Sequence, residues 1–146
     1  MDFQITDHIL PEDRDAIERG LLAYNLPRLN GILPRDLGLY QRDPSGEIVA
    51  GLVGRTEGNW LIVKLLWVSE ALRGQKVGGS LLDKAEAIAR ERGCRYAFLD
   101  TFSFQAPAFY EKRGYRTAFV LTDYPVRDKR YYLTKALYPC CACATE

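Results

Sequence analysis

The stretch Trp67-Val68-Ser69-Glu70-Ala71-Leu72-Arg73-Gly74-Gln75-Lys76-Val77-Gly78-Gly79-Ser80-Leu81-Leu82 carries the densest chemistry in the chain. An apolar run enters a loop rich in glycine and positive charge, and the loop opens a pattern of helical spacing. The first amides of a helix have no carbonyl partner inside it, and the helix dipole makes them attractive to phosphate. Gly74, Gly78 and Gly79 let a ligand approach the backbone, and Arg73 and Lys76 add charge. A pyrophosphate is the natural occupant. Two other phosphate loops do not fit: Gly74 to Gly79 is followed by Ser80 where the Walker pattern needs lysine, and G-x-G-x-x-G is absent.

A second block lies downstream, Thr101-Phe102-Ser103-Phe104-Gln105-Ala106-Pro107-Ala108-Phe109-Tyr110-Glu111-Lys112-Arg113-Gly114-Tyr115. Together the two blocks resemble the GNAT superfamily of N-acetyltransferases. Arg73-Gly74-Gln75-Lys76-Val77-Gly78 aligns with its acyl-CoA loop, R/Q-x-x-G-x-G/A. The later block resembles N-x-x-A-x-x-[LF]-Y-x-x-x-G-[FY], with Ala106, Phe109, Tyr110, Gly114 and Tyr115 in register. The phrase from Asp100 to Pro107 is similar to a bacterial subgroup of general acetyltransferases. The resemblance spans roughly Glu47 to Leu137 and departs from the pattern twice. Lys76 stands where the first motif glycine is usual; its amide can face phosphate if the backbone keeps a negative φ, and its side chain adds a charge-assisted contact. Ser103 replaces an asparagine that bonds the pantetheine arm in relatives.

What the resemblance implies is an enzyme with acetyl-CoA as cosubstrate and no metal. A primary amine of a small molecule or peptide would attack the bound thioester directly. The alternative from another class is a non-catalytic acyl-CoA-binding sensor or interaction module. The resemblance assigns the donor to Leu66, Trp67 and Val68 through a free strand edge, with an amide near Trp67 as oxyanion donor. It adds the loop Arg73, Gly74, Gln75, Lys76, Val77, Gly78, Gly79 and Ser80, then Ser103, Ala106, Phe109 and Tyr110. Tyr110 is the expected general acid toward the departing thiolate. The base stays open among Glu57, Asp100, Asp123 and a water chain. Tyr24, Tyr40, Trp60, Phe102 and Tyr124, with Lys64, are the candidate acceptor residues, although most aromatics simply pack in cores. Lys112 and Arg113 are candidates to meet the 3′-phosphate end of CoA, although exposed helix charges need no such role, and His8 reads as a surface residue.

The elements that must position these groups are set by pattern and punctuation. Phe3 to Thr6 reads as a first strand, and Pro11-Glu12-Asp13 opens a helix. Asp36 to Arg42, Glu47 to Thr56 and Trp60 to Val68 read as a meander of strands broken by Asp43-Pro44-Ser45-Gly46 and Glu57-Gly58-Asn59. Val77, Leu81, Leu82, Ala85 and Ile88 mark a helix closed by Gly93. A strand over 95–100, a short helix from Pro107 to Arg113 and strands over 115–121 and 131–137 complete the order β-α-β-β-β-α-β-α-β-β. That is one α/β (α+β) domain over residues 1–138 on a mixed, mostly antiparallel sheet, with a cysteine-containing tail over 139–146.

Bulk properties narrow the partners. The chain has 146 residues, 20 basic and 19 acidic, for a net charge of +1. A nucleic-acid binder shows a clear basic excess, so no nucleic acid is expected. No apolar run reaches the roughly 20 residues of a membrane span, and the start lacks a signal-peptide pattern, so a cytoplasmic location is the expectation. Cys140, Cys141 and Cys143 lack the paired spacing and histidines of a zinc site and read as a loose tail. Cys94 reads as a small buried apolar residue. Exposed strands near the C-terminus invite a homodimer.

Overall fold

Proline and glycine interrupt the apolar pattern at the places where the chain turns. The computed structural model describes residues 2–138, so the cysteine tail lies outside the described residues. Backbone contacts divide the chain into two units, Met1–Leu33 and the residues from Pro34 onward. In the first, α1 (Pro11–Asn25) has proline in its first turn together with Glu12 and Asp13, acids that favour the positive end of the helix dipole. A 3₁₀ turn over Leu26–Leu29 ends at Asn30, whose φ of 54° is left-handed and is tolerated by asparagine. The expected strand at Phe3–Thr6 does not form. A strand needs a neighbour to take its amides and carbonyls, and residues 3–6 join no ladder among the described residues.

The second unit holds the sheet. Its elements are β1 (Arg35–Arg42), β2 (Ile48–Glu57), β3 (Trp60–Val68), α2 (Val77–Glu91), β4 (Tyr96–Phe102), α3 (Pro107–Lys112), β5 (Arg116–Thr122) and β6 (Lys129–Ala136). The six strands lie in the order β1-β2-β3-β4-β6-β5. Every pair is antiparallel except β3 with β4, a mixed and mostly antiparallel sheet as the turn spacing implies. A parallel pair requires a crossover, and α2 supplies it.

Leu82, Ala85, Glu86 and Ala89 of α2 are buried, at the i, i+3, i+4, i+7 spacing of one helix face. That face joins Leu52, Leu61, Val63, Leu99 and Leu133 in a single core. Glu86 is the charged member of this face, and its carboxylate is fully used. Tyr115 donates to Oε2 at 2.9 Å and Lys135 Nζ to Oε1 at 2.8 Å. Burial, reinforced by the adjacent Glu86 charge, pushes the Tyr115 phenol well above its ordinary range, so it remains a hydrogen-bond donor. Cys94 is buried too, its thiol facing the Gly58 carbonyl at 3.4 Å, and burial raises its pKa.

The ladder between β2 and β3 is irregular at one point. Its register runs Val53↔Leu65 and then Gly54↔Val63, which leaves Lys64 as an extra, unpaired residue. A β-bulge of this kind bends a strand and re-aims one side chain. Gly54 is required opposite it, because a Cβ there would collide with the Ile62 carbonyl.

Leu61 is wholly buried, on β3 before the bulge. Leu61→Ala is expected to cost ~2–5 kcal/mol of unfolding free energy through lost transfer energy and a residual cavity, measured by urea denaturation. A loss below about 1 kcal/mol would mean that this side chain is not part of a close-packed core.

Candidate active site

β3 and β4 pair only over Trp60–Ile62 and Tyr96–Phe98. Beyond those three rungs the strands part, and the second half of β3 keeps β2 as its ladder neighbour. Its other edge therefore presents amides and carbonyls that no strand satisfies. The bulge at Lys64 falls where the parting begins. A cleft of about 440 Å³ opens there, lined on one side by Lys64, Leu66 and Val68 and on the other by Asp100, Thr101 and Gln105. Ala106, Phe109 and Tyr110 close it from α3 and the turn before it.

The second feature is the start of α2. Lys76 is its N-cap residue and no side chain caps the helix. Ahead of it a 3₁₀ turn, Glu70–Leu72, gives the Arg73 amide a partner in the Glu70 carbonyl at 3.2 Å. On the far side the Ser80 amide reaches the Lys76 carbonyl at 3.1 Å. Between these two, the amides of residues 74–79 take no partner among the described residues. The open set is thus narrower than the loop itself, since both flanking amides are occupied. Lys76 does not keep a negative φ: it sits at φ 63°, ψ 22°, the left-handed region in which the related motif carries glycine. The turn conserves the glycine-type conformation and accepts strain from a side chain to do so.

A recess of about 330 Å³ beside this turn is lined by Arg73, Gly74, Lys76, Val77, Gly78 and Gly79. It shares Val68, Arg73, Gly78 and Phe109 with the larger cleft, so the two adjoin. Arg73 is held by its Nε, which donates to the Val68 carbonyl at 3.3 Å. Gln75 turns its side-chain amide to the Ala71 carbonyl at 3.3 Å. Neither Gln75 nor Ser80 lines the recess.

Tyr110 is buried at 9% exposure, gripped edge-on by Phe109 at 5.0 Å and Tyr115 at 5.9 Å between ring centroids. Its hydroxyl takes no protein partner among the described residues and is not sealed from solvent, so it faces the cleft that the residue lines. Burial raises its pKa, and the negative charge of Asp100 adds to the rise. A phenol pushed upward keeps its proton through neutral pH and parts with it less readily, so any transfer from it depends on close positioning.

Asp100 is fixed by Arg130, whose Nε and terminal nitrogen both approach Oδ2 at 3.2 Å. The two side chains are diagonal neighbours across β4 and β6, where Asp100 faces Tyr132 and Phe102 faces Arg130. Arg130 lies over the rings of Phe102 at 4.2 Å and Tyr124 at 5.7 Å. Gln105 closes the end of β4, its Oε1 receiving the Phe102 amide at 2.7 Å and the Thr101 hydroxyl at 3.1 Å. Arg130, Gln105 and Thr101 are site residues that sequence reasoning missed. Gln105 lies inside the second motif block, but Arg130 reaches the cleft only through cross-strand pairing, for which the sequence has no local signal.

Several expected site residues are not brought together. The Ser103 hydroxyl takes the Lys129 amide at 3.2 Å, and Ser103 does not line the cleft. Trp67 shares its register with Gly51 and Tyr40, and its half-exposed side chain does not line the cleft. Tyr40 folds its ring across Gly38 and lies outside the cleft lining. Trp60 packs on Tyr96 at 4.9 Å beside a separate depression near Gly114 and Lys135. It stands six residues before Leu66, about 20 Å along β3 at 3.3 Å per residue. Tyr24 belongs to the first unit, stacked on Arg28 at 4.0 Å. Arg113 pairs with Asp83 at 3.2 Å and Lys112 is exposed. His8 is also exposed, its amide bonded to Thr6. Among the described residues no helix is long and apolar enough to cross a membrane, and no cluster of three or more metal-ligating side chains occurs.

This geometry agrees with what the chain is similar to. The model of the acetyltransferase (GNAT) family matches residues 5–115. An acetyltransferase of Agrobacterium fabrum is 42% identical over 115 residues, covering 79% of this chain and 84% of that protein. Blasticidin-S acetyltransferase of Streptomyces morookaense is 45% identical over 93 residues, covering 63% of this chain and 68% of that one. The crystal structure of a provisionally assigned acetyltransferase from Agrobacterium tumefaciens superposes with a TM-score of 0.86 at 38% identity, over 93% of this chain and 99% of the other.

The strain at Lys76 is open to direct test. Lys76→Gly is expected to raise unfolding free energy by up to ~1 kcal/mol, the left-handed penalty less the entropy of an added glycine. Lys76→Val should lower it, since a β-branched residue tolerates that region least. Thermal unfolding of the three proteins decides; a glycine variant less stable than the valine variant would contradict the left-handed assignment.

Proposed function

The chain belongs to the acetyltransferase (GNAT) family, and on that premise we propose that it moves the acetyl group of acetyl-CoA onto a primary amine of a small molecule or peptide, by direct attack in a ternary complex. The observation that carries this reading is the pair of adjoining clefts, one at the open amides that start α2 and the other at Tyr110. The diphosphate of CoA matches the amide turn, where the helix dipole and Arg73 add attraction. The pantetheine arm, an extended chain of amides, matches the unpaired edge of β3 after the bulge. The thioester then falls near Tyr110, and the amine enters past Lys64 and Asp100.

These residues make three physical contributions. The two clefts hold donor and acceptor together, which removes the entropic cost of their encounter from the chemical step. A free backbone amide of β3 stabilises the negative oxygen of the tetrahedral intermediate. Tyr110 gives its proton to sulfur as the carbon–sulfur bond breaks. The relative named blasticidin-S acetyltransferase makes blasticidin S the first acceptor to test, then other primary amines and short peptides with free N-termini. A non-catalytic acyl-CoA sensor would bind acetyl-CoA and release no thiol with any of them.

Tyr110→Phe removes the acid while keeping the ring packing. It is expected to lower kcat by about 10²-fold or more, the usual size of a general-acid contribution, with acetyl-CoA KM nearly unchanged. Thiol release measured under saturating acetyl-CoA checks this. An unchanged kcat would remove Tyr110 from the mechanism.

A further inference from the structure

An amine that enters as an ammonium and leaves as an amide surrenders two protons, and the sequence leaves Glu57, Asp100 and Asp123 open as carboxylates to receive them. The structure separates the three. Glu57 ends β2 opposite Trp60, where β3 and β4 are still paired, and it binds Arg55 Nε at 2.8 Å. Asp123 occupies the turn after β5 with a left-handed φ of 55°. Asp100 alone lines the cleft that Tyr110 lines, and it is the sole acidic residue there among the described residues.

Its hydrogen bonding is uneven. Both guanidinium contacts from Arg130 fall on Oδ2. Oδ1 accepts from no protein donor among the described residues, and it is not sealed from solvent. The guanidinium is itself held over Phe102 and Tyr124, which restrains the carboxylate bound to it. Asp100 thus brings to the wall opposite β3 a restrained carboxylate with one oxygen free of protein donors among the described residues.

From these contacts we infer that Asp100 docks the acceptor's amine on Oδ1 and accepts its protons as the nitrogen–carbon bond forms, with Arg130 as the positioning residue that keeps Oδ1 available. This rests on the acetyl-transfer reading above and adds the group that reading lacks. The nitrogen lone pair forms the bond to the carbonyl carbon, and the carbon–sulfur bond breaks with its electrons on sulfur. Sulfur takes the phenolic proton of Tyr110. The two nitrogen protons pass through Asp100, one to solvent and one by way of solvent back to Tyr110. The sum is ammonium plus thioester giving amide, thiol and one released proton. Lys64, Arg73 and Arg130 are the cations that line the same cleft, which leaves Asp100 as the one anionic group there, among the described residues, to meet a primary amine that arrives as an ammonium.

The test compares the fastest acceptor of a primary-amine panel with hydroxylamine, which is already neutral at assay pH. Asp100→Asn keeps the shape and an oxygen for Arg130. It is expected to lower kcat/KM for the basic amine about 10²-fold, to slow hydroxylamine far less, and to leave calorimetric affinity for acetyl-CoA within about threefold. With the basic amine, the variant's rate should climb with pH through the amine's own ionisation. Arg130→Gln should produce a smaller loss with the same selectivity for the basic amine, and Asp100→Glu should recover part of the rate. Equal slowing of both amines, or no slowing of either, overturns the assignment while leaving acetyl transfer intact. Wild-type protein that releases no thiol with any amine overturns acetyl transfer itself, and this inference with it.

Discussion

The structure turns on backbone polar groups that the protein does not satisfy. In a folded domain nearly every amide and carbonyl finds a partner, and leaving one unpaired away from water is costly. Here two sets stand open side by side: one edge of β3 after its first three rungs with β4, and the uncapped first turn of α2 with the loop before it. Both border water-filled space, so solvent meets their needs until a ligand does. A chain of amides ending in a diphosphate would complement the two sets in order, which is the basis of the donor-binding mode proposed above.

The surrounding features support that opening. The bulge at Lys64 bends β3 away from β4, and Gly54 removes the Cβ that would block it. Phe109 and Tyr115 clasp the Tyr110 ring, and Tyr115 is in turn tied to buried Glu86 and through it to Lys135. The Tyr110 ring is thereby anchored to the core on one side, and Tyr110 lines the cleft on the other. Rigid packing behind a reacting group is what keeps it within productive geometry.

Much of this was legible in the residues, because it is local. Glycines and charges between Arg73 and Ser80 marked the turn whose amides stand open, and alternation with turn chemistry marked β1 to β3. The period of α2 appeared in Leu81, Leu82 and Ala85. What escaped was non-local or conformational. Lys64 is one charged residue in the apolar run of β3, and only the register against β2 identifies it as a bulge. Arg130 meets Asp100 across two strands that are remote in sequence. Trp60 and Lys64 sit on one strand, yet the strand's length puts them at different openings. Ser103 keeps its motif position while its hydroxyl serves the Lys129 amide. Phe3–Thr6 has strand-forming residues but no ladder to join, and pattern alone does not supply a neighbour.

The most direct test of the account is a calorimetric comparison of CoA, dephospho-CoA and pantetheine with the wild-type protein. Several charge-assisted amide contacts at roughly 1.5–3 kcal/mol each place the diphosphate's share at a hundredfold in affinity or more, about tenfold for each 1.4 kcal/mol. Dephospho-CoA should therefore bind nearly as well as CoA, and pantetheine at least about a hundredfold more weakly. Equal affinity for CoA and pantetheine would contradict the claim that the open amides of residues 74–79 hold the diphosphate.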